Sequence, residues 1–420
     1  MRKLSFRICL FVFCTTSVVL TDASPGLLKN HVPSLFIFGD SIFDAGNNNY
    51  INTTFYKANY PPYGETFFKH PTGRFSDGRL FPDFIAECEK LPLIPPYLQP
   101  QNHEFTNGVN FASAGSGALV ETNQGIVIDL KTQLAYFKNV SRLLRQKLDG
   151  AQTNYLLSRA VYLFSVGGND YAVPFLTNSS VLRSYSHQQF VGLVIGNLTS
   201  VIKEIYKIGG RKFGFLNILP ISCTPAAKAI LGGGKCFEQI TPYVKFHNKQ
   251  LPKLLHKLRS ELKGFKYSFF FMKGFKYSVL PFYSFLDHRI KHPNKYGFKE
   301  VKSACCGSGP YRGILSCGGK RGVTEYFLCE NVSEYVFFDS AHPPEKANLQ
   351  FVKQSWNGNS GRLTGSLATM RKSSRIDDDR ALLLFLQIDD EMIELFSSKS
   401  LMSYGCRKFR SFSTGQALYS

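Results

Sequence analysis

The chain has 420 residues, 44% hydrophobic and 14% aromatic, a composition that suits a globular protein with a sizeable core and one large α/β domain or two smaller ones. Its 50 Lys and Arg against 30 Asp and Glu give a formal charge of +20, yet the basic residues are dispersed and form no tract, which excludes a nucleic-acid partner. A basic exported protein is drawn instead to acidic surfaces, such as acidic cell-wall polysaccharide or anionic lipid.

Residues 1–23 read as a secretory signal peptide: Arg2, Lys3 and Arg7 begin it, residues 8–20 form an apolar run, and Thr21-Asp22-Ala23 suits cleavage. The run is too short for a membrane span, and no later segment reaches the ~20 apolar residues a span needs; a retained signal anchor is the lesser reading. Export agrees with Asn-x-Ser/Thr acceptor sites at Asn52, Asn139, Asn178, Asn197 and Asn331. In an oxidising compartment the cysteines read as disulfides. Spacing suggests Cys223 with Cys236, and Cys305, Cys306, Cys317 and Cys329 paired among themselves in an undetermined order. Zinc is disfavoured, because Cys305-Cys306 lacks a knuckle spacer and no His pair stands nearby. Cys88 is expected to be a buried thiol, and Cys406 lies in the tail.

The apolar run Leu35-Phe36-Ile37-Phe38 enters Gly39-Asp40-Ser41 and an Asn- and Gly-rich loop, the pattern of a buried parallel strand with an exposed C-terminal end. A long polar loop, 47–78, has the length of a lid or binding wall. Helical spacing over 80–91 puts Phe81, Phe84, Ile85 and Cys88 on one face; a Pro-rich connector, 92–100, follows. Residues 108–111 form a short strand opening into the small-residue loop 112–117. Over 129–148 an amphipathic helix sets Leu130, Leu134, Phe137, Val140 and Leu144 against a face of Lys, Arg and Gln. The spacing then predicts a strand at 160–166 ending in Gly167-Gly168-Asn169-Asp170, helix 188–208, strand 212–218, helix 243–262, a last strand at 334–338 ending in Asp339-Ser340-Ala341-His342, and helix 345–356. This alternation predicts one domain, an α/β fold whose parallel sheet carries helices on both faces through right-handed crossovers.

Two stretches break the pattern. Lys-Gly-Phe-Lys-Tyr-Ser occurs at 263–268 and again at 273–278, and a second copy of one strand entrance finds no partner in the sheet. The tail 361–420 has one amphipathic stretch, 377–396, no strand, and reads as an appendage.

Ser41, Gly115, Asn169 and the pair Asp339/His342 all follow strands, and acyl transfer needs those residue types. A serine hydroxyl needs a base, and His suits that near neutral pH. The imidazole needs an acceptor on its other nitrogen, which Asp339, three residues earlier, can supply. The oxyanion needs donors, available from the Ser41 and Gly115 N–H groups and the Asn169 amide.

The blocks Phe-Ile-Phe-Gly-Asp-Ser-Ile-Phe-Asp-Ala-Gly-Asn-Asn-Asn, Gly-Val-Asn-Phe-Ala-Ser-Ala-Gly-Ser-Gly, Val-Gly-Gly-Asn-Asp-Tyr and Phe-Phe-Asp-Ser-Ala-His-Pro resemble the four signature blocks of the plant GDSL esterase/lipase family, a branch of the SGNH hydrolases. The resemblance runs from about 33 to about 358. It implies a three-layer α/β/α sandwich with a mainly parallel, flavodoxin-like sheet, in keeping with the missing Gly-x-Ser-x-Gly elbow. It also implies Ser41 as nucleophile, Asp339 and His342 as its partners, Ser41, Gly115 and Asn169 as oxyanion donors, and no metal or organic cofactor. The domain is set at 24–360, with 361–420 as a non-family extension. Where the family has Thr before the last helix this chain has Pro344, which cannot cap through a side chain, so a small stability cost and a looser His342 are expected.

The implied protein is a monomeric, secreted serine ester hydrolase of the apoplast or cell wall. Its substrates would be lipid acyl, cutin-type or acetylated polysaccharide esters. The alternatives are an acyltransferase using the same residues and a catalytically silent or misfolded isoform.

Overall fold

The structure, a computed structural model, describes residues 33–100, 104–268 and 282–356. In chain order the elements are β1 (Leu35–Gly39), α1 (Phe81–Cys88), β2 (Gly108–Asn110), α2 (Leu130–Lys147), α3 (Gly150–Arg159), β3 (Val161–Ser165), α4 (Gly168–Leu176), α5 (Val181–Ser184), α6 (His187–Ile208), β4 (Lys212–Phe215), α7 (Thr241–Glu261), β5 (Lys266–Ser268), α8 (Phe282–Lys291), β6 (Cys306–Gly307), β7 (Phe327–Leu328) and α9 (Glu345–Trp356). The first five strands form one parallel sheet in the order β2-β1-β3-β4-β5. Only the β1-to-β2 connection runs against the others. With right-handed crossovers this puts α1 on the opposite face from α2, α6 and α7, giving the three layers.

Aromatic residues in register bind the sheet to its helices. Phe36, Tyr162 and Phe213 are paired across β1, β3 and β4 and stack with centroids 5.5 and 5.3 Å apart. Phe38, Phe164 and Phe215 form a second row at 5.0 and 5.3 Å. Phe137 of α2 stands edge-on to Phe36 and Phe38. Such cross-strand pairs add to the burial that the apolar runs already supply. On the other face Phe81, Phe282, Phe285 and Phe351 join α1, α8 and α9.

Helices α3, α4, α5 and α8 were not anticipated. Short helices between strands leave too few turns for periodicity to show; α3 betrays itself only through Asp149, whose carboxylate caps it by accepting from the Gln152 N–H. The expected strand at 334–338 is not one. That segment bridges only at Tyr335 to Glu300 and gives its carbonyls at Phe337 and Phe338 to the N–H groups of Cys305 and Cys306. Its apolar run is buried for another reason, between the sheet's helices and the disulfide-bearing loops. Gln133, placed by spacing on the polar face of α2, is fully buried.

The first copy of the repeated hexapeptide supplies β5, the sheet's edge strand, so the partner position is filled. The second copy at 273–278, the signal at 1–23 and the tail at 361–420 lie outside the described residues. Disulfides join Cys223 to Cys236, Cys305 to Cys329 and Cys306 to Cys317; the last two brace the antiparallel pair β6–β7. Cys88 is buried on α1. Asn52, Asn178, Asn197 and Asn331 are exposed, whereas Asn139 is half-buried with its amide donating to the Tyr97 hydroxyl. The cap that Pro344 cannot provide comes from the Asp77 carboxylate, which accepts from the Glu345 N–H at 2.7 Å. Among the described residues no helix is long and apolar enough to cross a membrane.

Candidate active site

Strand order reverses between β1 and β3, and the crevice beyond their C-terminal ends is where open α/β sheets bind ligands. Gly39 ends β1 at φ +139°, and a Cβ there would stand 2.0 Å from the Ser165 carbonyl, so only glycine lets the chain turn beside β3. Gln133 clasps this glycine from α2: its Oε1 accepts from the Gly39 N–H and its Nε2 donates to the Gly39 carbonyl, each at 2.9 Å. Ser41 follows two residues later, partly exposed.

His342 Nε2 lies 2.7 Å from Ser41 Oγ, and His342 Nδ1 lies 2.7 Å from Asp339 Oδ1. Because a carboxylate only accepts, Nδ1 carries the proton and Nε2 presents its lone pair to the serine hydroxyl. Asp339 Oδ1 also accepts from the Ala341 and His342 N–H groups, at 3.0 and 2.9 Å, so the turn itself fixes the carboxylate. Burial alone would raise the Asp339 pKa, but His342, Arg321 and these donors outweigh it and hold the carboxyl well below the usual range. The His342 ring packs on Phe75, centroids 4.8 Å apart. His342 is thus held by Asp339, Ser41 and Phe75 rather than through a side chain at position 344.

Gly115 and Asn169 follow β2 and β3, the strands on either side of β1. Gly115 adopts φ +83°, and a Cβ there would meet the Tyr56 ring at 2.6 Å. Asn48 Nδ2 donates to the Ala114 carbonyl at 2.9 Å, and since a trans peptide points its two polar groups apart, this aims the Gly115 N–H away from Asn48. Among the described residues neither that N–H nor the Ser41 N–H has an acceptor in the chain. Asn169, in the first turn of α4, donates one amide hydrogen to the Ser116 carbonyl at 2.9 Å and keeps the other available. Asp170 ties the two together. It is fully buried and accepts from the Ala118 and Leu119 N–H groups and the Thr122 hydroxyl; burial, offset by those donors, raises its pKa to about 6. The arrangement can thus present a base-coupled hydroxyl, and among the described residues the Ser41 and Gly115 N–H groups and one amide hydrogen of Asn169 are left over as candidate donors.

Asp40 and Ile42, the chain neighbours of Ser41, line a cleft of about 30 Å³ together with Ser165, Val166, Leu216, Leu219 and Phe282. Burial is the main cause that raises Asp40 to about 7, against hydrogen bonds from the Ile42 N–H and the Ser165 hydroxyl. Among the described residues no cluster of His, Cys, Asp and Glu could hold a metal ion.

Of the five residues named from the sequence, the structure links Ser41, His342 and Asp339 directly; sequence reasoning missed those behind them: Tyr63, whose hydroxyl donates to Asp339 Oδ2 at 2.7 Å, Arg321 behind Tyr63, and Gln133. No local pattern marks them.

A family model described as GDSL-like lipase/acylhydrolase matches residues 35–354. Among known proteins the chain is 53% identical to GDSL esterase/lipase 1 of Arabidopsis thaliana, over 82% of this chain and 93% of that protein. It is 50% identical to GDSL esterase/lipase 5 of the same plant, over 85% and 91%, and 46% identical to a GDSL lipase of Tanacetum cinerariifolium, over 86% and 92%.

Proposed function

The chain belongs to the GDSL-like lipase/acylhydrolase family, and from that premise we propose that it is a secreted carboxylic ester hydrolase working through an acyl-enzyme on Ser41. One observation carries the reading: the unbroken series Ser41 Oγ to His342 Nε2 and His342 Nδ1 to Asp339 Oδ1, both links 2.7 Å.

As Ser41 Oγ attacks the ester carbonyl, its proton passes to His342 Nε2, and Asp339 stabilises the imidazolium. Negative charge gathers on the former carbonyl oxygen, where the N–H groups of Ser41 and Gly115 and the Asn169 amide are offered as donors. Collapse expels the alcohol, which takes the proton from His342. Water then repeats the sequence on the acyl-enzyme and releases the acid. With an alcohol in place of that water the same steps give acyl transfer, so product analysis with a competing alcohol distinguishes the two.

Export is supported by the apolar leader, the exposed acceptor asparagines and three disulfides, which persist in oxidising compartments. The net charge of +20 would hold the protein against an acidic cell wall, where lipid acyl, cutin-type and acetylated polysaccharide esters are the substrates to screen.

The deciding experiment is labelling of the purified protein with a fluorophosphonate probe. Wild type is expected to label and Ser41→Ala not to; absence of label from folded, monodisperse wild type would sink the reading.

A further inference from the structure

Resting on that reading of the site, we infer that Tyr63 and Arg321 are positioning residues for its chemistry, forming a directed hydrogen-bond chain, Arg321 to Tyr63 to Asp339, that fixes which oxygen and which charge the aspartate presents to His342.

The direction follows from donor inventory. Arg321 Nη1 lies 2.9 Å from the Tyr63 oxygen, and a guanidinium has no lone pair, so the hydroxyl must accept from it. The single phenolic proton is then free only for Asp339 Oδ2, 2.7 Å away. With Oδ2 satisfied by a donor, the carboxylate stays ionised and Oδ1 is committed to His342 Nδ1, the orientation that leaves Nε2 unprotonated toward Ser41. Every link is dry: Arg321 and Asp339 are each 2% exposed and Tyr63 is 1% exposed.

A buried arginine whose task was packing alone would need a carboxylate of its own, since burying an unpaired charge is costly. Among the described residues Arg321 has no direct carboxylate contact. Its guanidinium sits 5.2–5.4 Å from the ring centres of Tyr60, Tyr63 and Phe75, its Nη2 donates to the Lys57 carbonyl, and its nearest negative charge is Asp339, reached through Tyr63. The ionisable groups facing Asp339 are thus His342, Arg321, Tyr63 and Tyr60, and Asp40 is a further carboxylate that interacts with His342. Arg321 stands on the stretch between Cys317 and Cys329, whose disulfides to Cys306 and Cys305 tie it beside the segment that leads into Asp339.

The test uses the full-length protein and p-nitrophenyl acetate, with rates normalised to active sites titrated by a fluorophosphonate, so that unfolded material drops out. Tyr63→Phe keeps the ring and removes the proton. It is expected to lower kcat roughly 10–100-fold, the range that losing an outer hydrogen-bond partner costs at metal sites, with KM within about twofold. Without the Tyr63 donor the carboxylate stabilises the imidazolium more strongly, so the acidic limb of the kcat/KM profile moves to higher pH. Arg321→Gln is expected to move it the same way, because a buried positive charge is lost, and Arg321→Lys to bring it back toward wild type. A Tyr63→Phe enzyme with wild-type kcat and an unmoved profile overturns the inference, as does an Arg321→Lys enzyme no closer to wild type than Arg321→Gln. Ser41→Ala, assayed per mole of folded protein because it has no serine to titrate, separates the two levels: activity surviving in that variant means the reading of the site has failed, whereas a dead Ser41→Ala beside an unaffected Tyr63→Phe means only the positioning inference has.

Discussion

Ser41, His342 and Asp339 were legible because each falls in a short polar motif just after an apolar run, where chemistry-bearing side chains collect. Tyr63 and Arg321 were not, because the partner of the first lies 276 positions along the chain and that of the second 258. Burial also sets what Asp40 does, and that too is invisible locally. Its folded pKa, raised to about 7 from 3.8, means the folded protein keeps a proton the unfolded chain has lost. Its contribution is therefore whole below 3.8 and is lost as pH rises toward 7; Asp44 and Asp170, both raised to about 6, act in the same sense. Asp339, held low, acts oppositely: its contribution is present above 3.8 and is lost below it. The melting temperature is expected to fall between about pH 4 and pH 7, and Asp40→Asn, which mimics the protonated form, to make that fall shallower. An unchanged slope in the variant would refute the assignment.

Among the elements, α2 shows what periodicity reads and what it misses. Its leucines and Phe137 fell on the buried face as expected, but Gln133 is buried as well, for its hydrogen bonds: it serves both polar groups of Gly39, the Ser116 hydroxyl at 3.2 Å and the Ile128 carbonyl at 2.9 Å. Gln133→Leu fits the same space and leaves the Gly39 N–H and carbonyl without that partner, which is expected to cost about 1–3 kcal/mol. Urea denaturation measures the cost, and the rate of fluorophosphonate labelling should fall with it because Ser41 is two residues away. A loss below about 0.5 kcal/mol, the range of ordinary surface substitutions, would contradict the clasp. The mistaken strand at 334–338 has the complementary cause. An apolar run marks burial, and only the presence of a neighbouring strand with open hydrogen-bonding groups makes it a strand.

For the whole molecule, the fold closes on α9, whose Phe351 packs against Phe81, Phe282 and Phe285, and the family match ends at 354. A chain ending at residue 360 is accordingly expected to keep the melting temperature and esterase activity of the full chain, within about 2 °C and twofold; a larger loss in either would show that the tail contributes to the fold. The amino-acid sequence by itself determined the class of fold, the alternation that makes a parallel sheet, and the short motifs that carry Ser41, Asp339 and His342, because apolar period and turn chemistry act over a few positions. Only the tertiary structure decided the strand order that sets β1 beside β3, the cysteine pairing at Cys305 and Cys306, the burial of Gln133 and the direction of the chain from Arg321 to Asp339. Those depend on donors and acceptors that meet only after residues far apart in the chain have been packed together and water has been excluded.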